Sequence, residues 1–122
     1  VLIVDDSIVR GTTSKEIVQM AKDAGANKVF FTSAAPPVRY PHVYGINMPN
    51  KDELIAHDRT IREIADQLQI DNLVYQSVES LRNSIISDSP IKDLEMSCFT
   101  GSYVTGTVNQ EYLNWVENEY KS

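Results

Sequence analysis

VLIVDDSIVRGTT, residues 1–13, contains the clearest local pattern in the chain. It opens with a short apolar run that ends in an acid pair. Continuous apolar runs of this length are typical of strands that are buried on both faces of a parallel sheet. A polar turn containing Gly11 follows, and Thr13 and Glu16 then match a capping box at the start of a helix. The stretch therefore predicts a strand, a turn and a helix in direct succession.

The rest of the chain continues the alternation of strands and helices. Gly25 stands where the first helix should end, and a second apolar segment then completes a strand–helix–strand unit with a right-handed crossover. Thr60 and Glu63 form a second capping box. Further strands are predicted at 28–33, 43–46 and 72–76, with helices after residue 60, at 77–86 and after Asn109. We therefore predict an α/β fold, a parallel sheet flanked by helices on both faces, with residues 1–4 as a central strand.

The polar turn has the composition of a phosphate-binding loop. A helix N-terminus offers unpaired backbone N–H groups and about half a positive charge. Gly11 allows the backbone to approach a ligand closely. Hydroxyl donors follow at once, at Thr12, Thr13 and Ser14. Together these groups suit a phosphate monoester.

The acid pair marks the other end of the predicted site. Asp5 and Asp6 lie near the carboxyl end of the first strand, where open α/β sheets bind their ligands. Carboxylates there can accept hydrogen bonds from vicinal sugar hydroxyls or face Mg²⁺. Each feature taken alone is more often a solvated strand end or a simple helix cap. Their succession on one strand–turn–helix favours a phosphorylated ribose as the ligand.

Three stretches carry a resemblance to a known family. VLIVDDSIVRGTT resembles the phosphoribosyl pyrophosphate signature of type I phosphoribosyltransferases. SAAPPVRYPHVYGINMP, at 33–49, and CFTGSYVTG, at 98–106, are similar to the glutamine amidophosphoribosyltransferase family. The resemblance covers almost the whole chain. It implies a type I phosphoribosyltransferase-like fold, with residues 1–90 as the C-terminal part of that domain and 91–122 as a C-terminal extension that packs on it.

The resemblance also implies a reaction, the first step of de novo purine biosynthesis. Phosphoribosyl pyrophosphate, glutamine and water give 5-phosphoribosylamine, glutamate and pyrophosphate. The implied substrate-binding residues are Asp5, Asp6, Ser7, Arg10, Gly11, Thr12, Thr13 and Ser14, of which the two acids also face the metal and the last five hold the 5′-phosphate. No catalytic residue is expected in this chain. The family's N-terminal glutaminase domain is not in it, so we expect the isolated chain to be inactive.

The same resemblance implies cofactors and partners. Mg²⁺ is the expected cofactor, purine nucleotide monophosphates are the expected feedback inhibitors, and the full-length enzyme is expected to be a cytoplasmic homo-oligomer. Some members of the family carry an iron–sulfur cluster with a cysteine pair near this point. Cys98 matches one cysteine of that pair, but Glu95 stands where the other would be. We therefore do not expect a cluster held by four cysteines.

The composition argues against several other classes of protein. A net charge of −6 and a pI near 4.8 argue against binding to nucleic acid or to anionic membranes. No apolar run approaches the roughly 20 residues of a membrane span. Cys98 is the only cysteine, so an internal disulfide is excluded. The chain opens inside an apolar run without a methionine, and we expect it to be part of a longer protein.

Two other classes of protein deserve comparison with this prediction. VLIVDDS would also suit a response-regulator receiver domain, whose acid pair holds Mg²⁺, but Gly45 occupies the position that the phospho-accepting aspartate would need. A regulatory protein that keeps a phosphoribosyl-binding fold only to sense a ligand is the other alternative. His42 and His57 have no neighbouring metal-ligand residues, and we predict structural roles for both.

Overall fold

The computed structural model describes all residues, 1–122, as an α/β chain. A three-stranded sheet is formed by β1 (Leu2–Asp5), β2 (Phe30–Ser33) and β3 (Asn72–Tyr75). The helices are α1 (Thr12–Asp23), α2 (Ile61–Leu68), α3 (Val78–Ile86), α4 (Ser97–Thr100) and α5 (Gln110–Lys121), and a short 3₁₀ helix covers Lys51–Glu53. The longest helices have 12 residues, and none is long and apolar enough to cross a membrane.

The sheet is entirely parallel, as the sequence predicts, but its strand order differs from the prediction. The order is β1-β2-β3, so that β2 is central and β1 lies at an edge. The predicted central position of residues 1–4 is therefore wrong. Leu2 and Val4 are 65% and 69% exposed, because within this chain β1 pairs with β2 alone and no helix covers that face. The apolar run correctly predicts a strand, but its burial depends on what lies beside it.

The core lies on the opposite face of the sheet. Phe31 and Leu73 are in register on neighbouring strands and point to the same side. They share one buried cluster with Val18 of α1 and with Ile64 and Leu68 of α2. Both helices therefore cover this face, and within this chain the other face is left exposed, so the predicted helices on both faces are not observed. The α1 helix follows directly after the acid pair and the polar turn at the carboxyl end of β1.

The two predicted capping boxes have different outcomes. At α2 the box forms, since the Thr60 N–H donates to Glu63 Oε2 (2.7 Å) and the Glu63 N–H donates to Thr60 Oγ1 (3.2 Å). At α1 the box of Thr13 and Glu16 does not form. The helix begins two residues earlier than that box implies, its N-cap is Gly11 in the left-handed conformation, and no side chain caps it.

The segment at 43–46 is not the strand that the sequence predicts. Only an isolated antiparallel bridge joins His42 to Met48. The backbone N–H groups of Tyr44 and Ile46 donate to His42 Nδ1, at 3.2 and 3.3 Å, instead of to a neighbouring strand. The loop is thus held around one imidazole, and Gly45 has a positive φ of 114° within it.

The C-terminal part packs on the loops at 38–53. The Cys98 carbonyl accepts hydrogen bonds from the N–H groups of Arg39 and Tyr40, and the Tyr103 hydroxyl donates to the Pro41 carbonyl at 2.7 Å. The last helix begins after Asn109, as predicted, and that side chain caps it by accepting from the Tyr112 N–H.

Replacing Thr60 with alanine should loosen α2 without unfolding the protein. The change removes one half of the capping box, which is worth about 1 kcal/mol. Amide hydrogen exchange in the first turn of α2 should therefore accelerate about fivefold, since opening is local. Thr60→Ser keeps the hydroxyl and serves as the control. Equal exchange rates in the alanine and serine variants would show that the cap does not stabilise the helix.

Candidate functional site

An open cleft of about 340 Å³ lies at the carboxyl end of β1. Its lining contains every residue that the sequence predicts for ligand binding, together with Val9: Asp5, Asp6, Ser7, Val9, Arg10, Gly11, Thr12, Thr13 and Ser14. The strand brings the acid pair to one end of the cleft, and the turn brings the glycine and the hydroxyls to the other. The structure thus gathers the predicted residues around one space.

The turn has a backbone that only glycine accommodates well. Gly11 has a φ of 79°, a conformation that residues with a Cβ atom rarely adopt. A Cβ atom built there would lie 2.5 Å from Ile55 Cδ1, which is too close for any real contact. The neighbouring backbone is also fixed, because the Ile55 N–H donates to the Val9 carbonyl at 2.9 Å. Ile55 therefore supports the turn from the protein side.

The start of α1 leaves hydrogen-bond donors available to the cleft. The first N–H groups of a helix have no partner within it, and here no side chain takes that place. Thr12 and Thr13 are exposed at this point, whereas Ser14 is buried. No acidic residue stands in the first turn, so the positive end of the helix dipole is not neutralised locally. An anion is the ligand that such an arrangement favours.

The two acids use one oxygen each to shape the loop. Asp5 Oδ1 accepts from the Asp6 N–H at 2.9 Å, and Asp6 Oδ1 accepts from the Ser7 N–H at 2.6 Å. The second oxygen of each carboxylate accepts no hydrogen bond from the protein. Asp6 is exposed and Asp5 is partly exposed, so these oxygens remain available to a sugar hydroxyl or a cation.

This donor set fits Mg²⁺ only in combination with a ligand. Nowhere does the chain gather three or more His, Cys, Asp or Glu side chains that could hold a metal ion by themselves. Mg²⁺ is usually bound through one or two carboxylates plus substrate oxygens and water. Asp5 and Asp6 offer two carboxylates with one free oxygen each, which agrees with that pattern.

Arg10 lines the cleft and is held by a contact that the sequence does not predict. Its Nε donates to Glu53 Oε2 at 2.9 Å, and its Nη2 donates to the Asn47 carbonyl at 3.4 Å. Glu53 lies 43 positions away along the chain, so no local pattern could indicate it. The contact of Ile55 with the turn is not predicted from the sequence for the same reason.

His42 and Cys98 do not line the cleft and have structural surroundings. His42 is buried, and its Nε2 lies 3.2 Å from Glu95 Oε2. Burial alone would raise the pKa of Glu95, but hydrogen bonds from Ser97 and the neighbouring His42 outweigh it and lower that pKa. Burial raises the pKa of the Cys98 thiol, and the nearby Glu95 adds to the effect. A thiol with a raised pKa is a poor nucleophile near neutral pH.

A parallel sheet with a glycine-bearing turn, an uncapped helix N-terminus and an acid pair at its carboxyl edge defines an α/β domain with a cleft where open α/β sheets bind their ligands. Over nearly its whole length, the chain is homologous to amidophosphoribosyltransferases. It is 55% identical over 115 residues to the amidophosphoribosyltransferase of Pasteurella multocida, covering 93% of this chain and 23% of that protein. It is 51% identical over 122 residues to the amidophosphoribosyltransferase of Saccharomyces cerevisiae, covering 100% of this chain and 24% of that protein.

Solved structures give the same relationship at the level of the fold. The glutamine phosphoribosylpyrophosphate amidotransferase of B. subtilis, complexed with ADP and GMP, superimposes with a TM-score of 0.78 at 39% identity, over 89% of this chain and 24% of that one. No protein-family model matches the chain. The chain thus spans about a quarter of the length of the curated relatives that it matches.

Proposed function

We propose that the full-length protein containing this chain is an amidophosphoribosyltransferase, and that this chain contributes the loop that binds phosphoribosyl pyrophosphate. The observation that carries the proposal is the cleft at the carboxyl end of β1, with acids at one end and an uncapped helix N-terminus at the other. The amidophosphoribosyltransferases that match the chain by sequence support it. The enzyme makes 5-phosphoribosylamine, glutamate and pyrophosphate from phosphoribosyl pyrophosphate, glutamine and water.

The 5′-phosphate is proposed to bind at the turn. The N–H groups at the start of α1 and the hydroxyls of Thr12 and Thr13 donate to its oxygens, with Gly11 allowing the close approach. Arg10 adds positive charge at the edge of the same cleft. Because the phosphate carries all of the charge of ribose 5-phosphate, this contact is the main one that positions the sugar ring.

The ribose hydroxyls are proposed to bind at the acid pair. The free oxygens of Asp5 and Asp6 accept from the two hydroxyls and face the Mg²⁺ that accompanies the substrate. When bound, that ion supplies positive charge to offset the charge of the departing pyrophosphate. Ammonia forms the new bond to C1 as the bond from C1 to pyrophosphate breaks. Positioning and charge stabilisation account for the contribution of these residues.

The remaining assignments concern the protein as a whole. We propose that residues 1–90 belong to a phosphoribosyltransferase domain, that 91–122 form an extension packed on it, and that the glutaminase activity resides outside this chain. Purine nucleotide monophosphates would compete for the turn through their own 5′-phosphates. The amidotransferase of B. subtilis that was solved with ADP and GMP makes nucleotide binding a reasonable expectation. The enzyme is proposed to act as a cytoplasmic homo-oligomer.

The test is product formation by the full-length protein. With Mg²⁺ and phosphoribosyl pyrophosphate, addition of glutamine or of ammonia should release pyrophosphate. Residues 1–122 alone should release none, since they supply neither a glutaminase nucleophile nor a complete substrate site. A full-length protein that binds phosphoribosyl pyrophosphate but releases no pyrophosphate with either nitrogen donor would be a ligand sensor instead, and the proposal would be wrong.

A further inference from the structure

Arg10 is the only cationic residue that lines the cleft. A long, half-exposed side chain must lose rotational freedom when it contacts a ligand, and this ordering weakens binding. A second group that already holds the guanidinium in place would reduce the loss. The contacts that hold the Arg10 guanidinium therefore affect how readily it can bind an anion.

Two protein acceptors hold the guanidinium by one side. Nε donates to Glu53 Oε2 at 2.9 Å, and Nη2 donates to the Asn47 carbonyl at 3.4 Å. An arginine has five N–H donors, so three remain free for an anion. Both Arg10 and Glu53 have side chains that are 48% exposed. Exposed ion pairs add little to the stability of a fold. The main effect of this pair is therefore on the orientation of the Arg10 guanidinium.

The segment that presents Glu53 is itself fixed in place. Asn50 caps the 3₁₀ helix by accepting from the Asp52 N–H at 2.9 Å, and Lys121 of α5 donates to Asp52 at 3.1 Å. Directly after Glu53, residues 54–56 are buried. The Ile55 N–H there holds the Val9 carbonyl, next to Arg10. The same short segment thus contacts both the backbone of the turn and the side chain of its arginine.

We propose that Glu53 is a positioning residue for phosphate binding, acting through Arg10. The carboxylate holds the Nε side of the guanidinium, so that the remaining N–H groups are available to the 5′-phosphate at the edge of the cleft. This inference rests on the proposed function, since it assumes a phosphoribosyl ligand in the cleft. Glu53 itself does not line the cleft and does not touch the ligand.

The test is a double-mutant cycle in the full-length protein, with ribose 5-phosphate as the probe and no metal present. Glu53→Ala should weaken binding about three- to fivefold, the size expected for an exposed ion pair. In an Arg10→Ala background, the same change should have no further effect, because the two residues act as one unit. The control is Asp66→Ala, which breaks the exposed ion pair of Arg62 and Asp66 on α2 and should leave affinity unchanged.

The outcomes separate the two proposals. If the wild-type protein does not bind ribose 5-phosphate, the proposed function is wrong and the role of Glu53 falls with it. If the wild type binds, equal affinity in Glu53→Ala overturns the positioning role alone. So does tighter binding, which would make Glu53 a competitor of phosphate for Arg10. Additive losses in the double variant would also overturn it, because Glu53 would then act by another route.

Discussion

Replacing Gly11 with valine is expected to weaken strongly the binding of every ligand that carries a 5′-phosphate, with or without Mg²⁺. The backbone there has a φ of 79°, where a β-branched residue is strongly disfavoured. The new Cβ would also lie 2.5 Å from Ile55 Cδ1. Ile55 is 4% exposed and belongs to the main core cluster, so moving its Cδ1 aside would require the core around it to repack. The turn must therefore change its shape.

The expected loss is large. Strained left-handed conformations cost about 1–3 kcal/mol, and roughly 3 kcal/mol corresponds to about a hundredfold in affinity. The steric conflict adds to this cost. Affinity for ribose 5-phosphate, measured by calorimetry on the full-length protein, is the readout. An unchanged affinity in Gly11→Val would mean that the turn does not bind phosphate.

Gly25 provides a matched control for that experiment. It also has a positive φ, of 99°, but nothing lies within 4 Å of a Cβ built there, and it follows the opposite end of α1. Gly25→Val should therefore introduce backbone strain without a steric conflict and far from the cleft. We expect it to lower stability while leaving affinity for ribose 5-phosphate unchanged. A similar loss of affinity in both variants would indicate general destabilisation.

Asp5→Asn and Asp6→Asn are expected to weaken binding of the Mg²⁺-bound substrate by about ten- to a hundredfold. An amide retains the Oδ1 that accepts from the next N–H, so the loop geometry should persist. What is lost is the negative charge at the free oxygens. Losing a hydrogen bond to a charged group costs roughly 1.5–3 kcal/mol, which gives the stated range. The affinity for ribose 5-phosphate without metal should fall less, because only the hydrogen bonds to the ribose hydroxyls are weakened and the contribution of Mg²⁺ is absent.

The measurement compares affinity for phosphoribosyl pyrophosphate with and without Mg²⁺ in each variant. Asp23→Asn is the control, because it removes one carboxylate charge at the far end of α1, where Asp23 only accepts from Gln19. In that variant, Mg²⁺ should increase the affinity for phosphoribosyl pyrophosphate as much as in the wild type. If the Asp5 and Asp6 variants retain this increase as well, the two acids have only a structural role in the loop.

Much of the site could be predicted because its residues are adjacent in the chain. The strand, the turn and the start of α1 are local features, and the residues from Asp5 to Ser14, apart from the buried Ile8, line one cleft, as their order predicts. The capping box at Thr60 is local too, and it forms. Short-range hydrogen bonding and the periodicity of apolar residues carry this kind of information.

The features that could not be predicted depend on distant parts of the chain. The position of β1 at the edge of the sheet depends on which strands pair, and a short apolar run does not determine that. Thr13 and Glu16 match a capping box, yet the N-cap of the helix is the left-handed Gly11 instead, where Ile55 supports the turn. The contact between Arg10 and Glu53 joins two segments that no sequence pattern connects.

The most direct test of the central claim is a calorimetric titration of the full-length protein with phosphoribosyl pyrophosphate, in the presence and absence of Mg²⁺. The wild-type protein should bind the ligand, and Mg²⁺ should tighten the binding. Asp5→Asn should lose the gain from Mg²⁺, whereas Gly11→Val should bind much more weakly under both conditions. If both variants bind as tightly as the wild type under both conditions, the acids and the turn are structural and the phosphoribosyl assignment is wrong.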